Sequence, residues 1–336
     1  MGGDGKVFEN QHPEVASVLQ EWIDFLDNYS DFIEEEGENT YLKEVPRGLD
    51  LPEHLLTDLR QASSQAVMVR EHYNLGYHAL PELYTFLDEL RILVYRDCLP
   101  RESGVWGAFY RHPRLGFSLF VNVNTTPARQ AFTLAHGLAH VLYHHHLPII
   151  VCRRDSLSKR EKEVERFANA WASHFLVPGK ALRKQAKLLG EISPETALLL
   201  ADHFRVSYSF ILFRLQHEGL ISKEERKSWS KYRVEYLVLR VGVPYHLLHS
   251  STLTPRYPDL DRYPYSVLSK VRRAVENERL SVSGAAGLLR TDSTTVEREL
   301  LARPKECENL EAEEFTEDLG FVSPGRKTRV SVAQLG

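Results

Sequence analysis

The chain has 336 residues, 43% of them hydrophobic and 26% charged, with a formal net charge of −4. That length and apolar share allow a sizeable core in one large domain or two modest ones, while the charge balance argues against a protein whose whole surface binds nucleic acid. No apolar run approaches about 20 residues, which excludes a helical membrane span, and Cys98, Cys152 and Cys307 are too scattered for a disulfide framework or a CxxC metal pair.

The opening MGGDGKVFENQHPEV lacks the apolar stretch of a secretory signal, so a reducing, cytoplasmic setting is expected. Residues 14–36 read as a helix ending in the acidic FIEEEGEN, and YLKEVPRGLDLP as a linker. From Glu53 to Tyr73 the pattern is helical, with Gly76 able to end it, and Pro81 opens a short helix over ELYTFLDEL. RILVYRD has β-forming composition, and GVWGAFY and GFSLFVNVN, separated by RHPRL, suit a hairpin. Thr126 and Pro127 then start a helix, FTLAHGLAHVLYHH, apolar nearly all round and so expected to be buried. Ser158 and Glu161 form a capping-box pattern before KEVERFANAWASHFLVP. Ser193-Pro194 caps ETALLLADHF, which turns at VS into YSFILFRLQHEG, and further helices run to about Pro304.

Within FTLAHGLAH, His136 and His140 stand four apart, one turn above the other on one helical face, where two imidazoles can share a metal ion. A catalytic zinc takes three protein ligands and keeps one position open for water. The third ligand in many such enzymes is a glutamate on a later helix, and Glu165 is the candidate. Ala168, Asn169 and Ala172 share its face; the alanines permit close helix approach, and Asn169 can orient a ligand. Spacing alone is weak evidence, because fifteen histidines give roughly one such pair by chance. The surrounding hairpin and capped helices strengthen it. His144, His145 and His146 read as the solvated end of the helix, and His174 as pointing away from the Glu165 face.

These residues resemble the ImmA/IrrE metallopeptidases. The resemblance runs from about Leu51 to Ile221, carried by FVNVNTTPARQAFTLAHGLAH, ERFANAWASHFLVP and LADHFRVSYSFILFRLQHEGLI in that order. It implies a zincin-like core and a Zn2+-dependent endopeptidase that cuts a transcriptional repressor at one site. The family's settings are mobile-element induction and the stress response to DNA damage. Carried over by position, His136, His140 and Glu165 match the metal ligands, and Asn169 matches the motif's asparagine. The strand GFSLFVNVN reads either as an ordinary sheet strand or, as the resemblance implies, as an edge on which a substrate peptide lays its backbone.

Gly137 departs from the pattern: it stands where the family has its general-base glutamate, which takes a proton from zinc-bound water and passes one to the leaving amine. Glycine does neither, and in a helix interior it is about 1 kcal/mol worse than alanine. Three readings stay open: an inactivating change in a protease, a naturally silent pseudopeptidase that binds a DNA-binding regulatory partner, or a protease with a replacement base, for which Glu161 and Glu163 are nearest in sequence.

The expected architecture is α+β and mostly helical. It comprises an N-terminal helical extension over 1–45, a zincin-like peptidase domain with a small sheet over 46–222, a C-terminal helical domain over 223–305, and an acidic then basic tail over 306–336, expected to be poorly ordered. The expected partner is a helix-turn-helix repressor acting in trans. Direct DNA reading is not expected: the second helix of LADHFRVSYSFILFRL is core material, and LSVSGAAGLLRTDSTTVERELL lacks a dense basic cluster and reads as a packing or docking module. The sequence leaves the oligomeric state open.

Overall fold

The computed structural model describes residues 12–37, 54–80, 82–153, 158–242 and 259–302. The linker YLKEVPRGLDLP and the tail 306–336 lie outside them. The described chain is mostly helical around one four-stranded mixed sheet, the α+β arrangement expected.

The sheet consists of β1 (Leu93–Asp97), β2 (Val105–His112), β3 (Gly116–Asn122) and β4 (Ile149–Arg153), in spatial order β1-β3-β2-β4. β1 runs parallel to β3, with Leu93 opposite Ser118. β2 and β3 form the expected antiparallel hairpin, and β4 pairs antiparallel with β2, with Cys152 opposite Gly107. β3 is therefore central, flanked on both sides, and has no free edge for a peptide. The substrate-edge reading of GFSLFVNVN is thus corrected: the edge strands are β1 and β4.

Alternation along the strands divides two cores. Val94, Phe109, Phe117, Leu119, Val121 and Ile150 face one side. Leu93, Tyr95, Ala108, Tyr110, Phe120, Ile149 and Val151 face the other. Both faces are covered, which is why β3 is buried at every position and reads as a continuous apolar run. The second face carries α1 (Pro13–Glu35), whose Trp22, Phe25 and Tyr29 are fully buried, and whose Trp22 Nε1 donates to Ser118 Oγ at 3.0 Å. Val267 and Val271 of the helix Tyr265–Glu276 and Ala285 and Ala286 of the helix Val282–Leu288 complete that core.

The first face carries α2 (Ala62–His72), α3 (Leu83–Glu89), α4 (Pro127–Tyr143) and α5 (Lys159–Leu176). Thr126 caps α4, its side chain accepting from Arg129 N at 3.2 Å, and Pro127 occupies the first turn. Gly107 lets α4 come down onto β2: a Cβ there would lie 2.5 Å from Thr133 Cγ2 and 2.7 Å from the Phe120 carbonyl oxygen. α5 begins at the expected capping box, with Ser158 N donating to Glu161 Oε2 at 2.7 Å and Glu161 N to Ser158 Oγ at 3.3 Å. Beyond α5 follow α6 (Gly179–Leu189), α7 (Pro194–Phe204) and α8 (Tyr208–His217). In α8, Ile211, Leu212 and Leu215 are buried in the core.

Two expected elements differ. The helix expected from Glu53 starts only at Ala62, after a short turn over Leu59–Gln61. Asp58 ends the non-helical stretch by accepting from Arg60 N, and the backbone ahead of it crosses to α4, where the Leu56 carbonyl meets His144. The other difference is β4, which lies where the sequence reading placed no strand.

Candidate metal centre

α4 and α5 lie side by side, and β4 closes one flank. His136 and His140 project from one face of α4, one turn apart as their spacing predicts. Glu165 projects from α5, and Cys152 from β4. One ligand atom from each of the four lies within 4.8 Å of all the others. All four residues are buried: Glu165 is 9% exposed, Cys152 5%, His136 4% and His140 0%.

Hydrogen bonds orient both imidazoles. His144 Nε2 donates to the Leu56 carbonyl oxygen at 2.8 Å, which leaves His144 Nδ1 as an acceptor. His140 Nδ1 donates to that nitrogen at 2.8 Å, so the lone pair of His140 is on Nε2. His136 Nδ1 lies 3.1 Å from Asn169 Oδ1, an acceptor, so its lone pair is also on Nε2. The two Nε2 atoms meet 2.8 Å apart. Glu165 Oε2 is 3.3 Å from His136 Nε2 and Oε1 is 3.4 Å from His140 Nε2. Oε1 is buried without a hydrogen-bond partner. Two inward lone pairs and an orphaned carboxylate oxygen are what a cation satisfies. Two imidazoles, a carboxylate and a thiol are a donor set that suits zinc. The outer partners are the kind that hold zinc-bound histidines in place.

Electrostatics follow the same geometry. Burial alone would raise the Glu165 carboxyl, but the two imidazoles facing it, His136 foremost, hold it below the ordinary carboxylate range. Burial, with His136 beside it, pushes the His140 imidazole down. Burial, with His140 beside it, pushes His144 down to about 3, so His144 is neutral. Burial and the Glu165 carboxylate raise the Cys152 thiol well above its usual value, a balance that a bound cation reverses.

Gly137 follows His136 and turns toward β3. A Cβ on it would lie 2.8 Å from both Leu119 Cδ1 and Cδ2 and 3.3 Å from Cγ. Leu119 is 1% exposed and packed in the core, so its side chain fills the space a side chain at 137 would enter. Neither sequence neighbour offers a carboxylate. Glu161 is exposed and committed to its capping box, and Glu163 is exposed and does not line the cavity at the centre. That cavity, about 370 Å³, opens between β2, α4, β4 and α5. Glu165 is the one carboxylate lining it among the described residues, against the cations Arg129, Arg153, Lys162 and Arg166. Trp106 sits at an irregularity in the β2–β4 register, and the Arg129 guanidinium lies 3.8 Å over its ring.

The structure thus brings together His136, His140, Glu165 and Asn169. His144 corrects its sequence reading: it is fully buried against His140, while His146 is exposed. His174 stands apart, packed against the His217 ring at 5.3 Å. Cys152 was missed because β4 was missed; the β-branched run PIIVC was the available signal.

A buried helix with two histidines, a glutamate from the next helix and a small mixed sheet beneath form a cluster that could hold a metal ion. Residues 102–216 match the family model described as Peptidase_M78, IrrE N-terminal-like domain. A solved structure described as a Mycobacterium tuberculosis transcriptional regulator is 21% identical with a TM-score of 0.31, over 56% of this chain and 51% of that chain, so the match spans about half the neighbour's length. No curated protein matches the chain. No helix among the described residues is long and apolar enough to cross a membrane.

Proposed function

We propose that this chain is a zinc-binding pseudopeptidase of the ImmA/IrrE type: it engages a DNA-binding transcriptional regulator of the helix-turn-helix kind and does not cut it. His136, His140 and Glu165 would hold the ion, with Asn169 and His144 orienting the imidazoles. When bound in an active relative of this class, zinc supplies polarisation of the scissile carbonyl and of an attacking water. The observation that carries the reading is Gly137: it offers no carboxylate beside the donors, and the Leu119 methyl carbons lie 2.8 Å from where its Cβ would stand, which supports a packing adapted to glycine. This favours a settled pseudopeptidase over a protease with one altered residue. The surroundings offer no second base, because Glu165 is the sole carboxylate on the cavity among the described residues.

The four cations about the cavity favour an acidic stretch of the partner. The test uses the zinc-loaded full chain with a panel of helix-turn-helix repressors. Binding is measured by calorimetry and fragmentation by mass spectrometry of the same mixtures. The expected outcome is saturable binding to a repressor that stays intact. Cleavage of the bound repressor at one site by the unaltered chain would overturn the reading.

A further inference from the structure

We propose that Cys152 is the fourth protein ligand of the metal centre and closes its coordination sphere with a thiolate, making a structural site with no open position for water. The inference rests on the metal-centre reading above and goes beyond it, since the family pattern supplies only two histidines and a glutamate.

Cys152 reaches the centre through strand geometry. Along β4, Ile150 packs on the α4 side of the sheet while Ile149 and Val151 pack on the other. Alternation therefore turns Cys152 to the α4 side, and its sulfur falls within 4.8 Å of the ligand atoms of His136, His140 and Glu165. A buried cysteine is most often a small apolar filler among apolar neighbours. Cys152 has a carboxylate and two imidazoles as neighbours instead, and these are metal donors.

Donor count and charge point the same way. Structural zinc sites are four-coordinate and filled by protein, whereas catalytic sites keep three protein ligands and one water. Two neutral imidazoles, one carboxylate and one thiolate complete four and cancel the charge of Zn2+. A neutral centre suits a site whose ligands are all buried. On binding, the thiol proton leaves to solvent as the Zn–S bond forms, and no oxidant or reductant is needed. Water activation also has no use here, because position 137 provides no group to take the proton.

The test is X-ray absorption at the zinc edge on the unaltered full chain, with cobalt(II)-substituted protein as the optical companion. The expected result is one sulfur at about 2.3 Å in the shell. The cobalt form should show a sulfur-to-metal charge-transfer band in the near ultraviolet. Cys152→Ser should remove the band and weaken zinc binding by more than the 10–100-fold typical of losing an outer partner. Because the absorption measurement needs no variant, a misfolded C152S would not blur it. Stoichiometric zinc with only nitrogen and oxygen neighbours would overturn the thiolate ligand and leave the three-ligand centre standing. Failure to bind zinc at all, unchanged by His136→Ala, would overturn the centre itself and the thiolate ligand with it.

Discussion

The packing of Leu119 against Gly137 can be measured by a double-mutant cycle. Replacing Gly137 with alanine adds one methyl group to a buried helix. Helix propensity favours the change by about 1 kcal/mol. Against this, the new Cβ would sit 2.8 Å from two Leu119 carbons, well inside the roughly 3.5–4.0 Å at which carbon atoms attract. Leu119 is held between the sheet and α4, so relief requires an off-rotamer side chain or a shift of the helix, and overpacking of this kind costs about 1–3 kcal/mol. The expected net effect of G137A is a destabilisation of about 0–2 kcal/mol. Leu119→Ala alone should cost about 2–5 kcal/mol, the range for an emptied leucine site. In the L119A background the clash is gone, and G137A should stabilise by about 1 kcal/mol. The two changes should therefore be coupled by about 1–3 kcal/mol. Urea unfolding of the full chain at fixed zinc gives all four corners. If G137A stabilises the unaltered chain by about 1 kcal/mol and the two changes simply add, Leu119 does not hold that space and the packing argument for a settled pseudopeptidase fails.

Three further outcomes follow from the same geometry. His144→Phe should keep the fold but lower zinc affinity about 10–100-fold, because the His140 ring loses the acceptor that fixes its tautomer; chelator competition reads this, and unchanged affinity would show that the relay from Leu56 is idle. Zinc at about 1,000 times its Kd should stabilise the chain by about 4 kcal/mol, and chelation should remove that gain; the loss of amide protection should concentrate on β4, which among the described residues pairs only with β2, and equal loss across the sheet would count against a metal tie at that edge. The third outcome concerns His174, which burial, with Arg214 and His217 beside it, holds down at about 4 against 6.5 for the free imidazole. The unfolded chain therefore binds the extra proton first: stability is full above about pH 6.5 and falls as the pH drops toward 4, by about 3 kcal/mol at most from this group. His174→Gln should flatten that part of the pH profile, and an unaltered slope would assign it elsewhere.

Much of the fold was legible where signals are local. The Thr126 cap, the Ser158–Glu161 box and the Ser193 cap each satisfy backbone groups within one turn, so composition at three or four positions suffices. The four-residue spacing of His136 and His140, and the small residues around Glu165, single out three of the residues that the fold brings together. What was not legible depends on long-range partners. β4 is five residues long and gains its strand conformation from pairing with β2, about forty residues earlier in sequence. Nothing near His144 reveals that Leu56, 88 positions away, supplies its acceptor. For GFSLFVNVN the choice between an ordinary strand and an edge stays open in the sequence, because a run's composition does not report which neighbours flank it; β1 and β2 cover both sides of β3.

The two departures at this centre come from different elements and are independent in sequence, yet they bear on the same chemistry. Gly137 on α4 removes the group that would accept a proton from water. Cys152 on β4 brings a sulfur within 4.8 Å of the other three donor atoms, where it would fill the place of a water. Drift after loss of activity would be expected to erode the donors as well, because an unpaired buried carboxylate and two buried imidazoles are costly to keep without an ion. Here the donors, their orienting partners Asn169 and His144, and the capped helices that present them are all in place. A whole shell present without a base is what an ion serving a mechanical role predicts. Such an ion would join α4, α5 and β4, three of the four elements that frame the cavity.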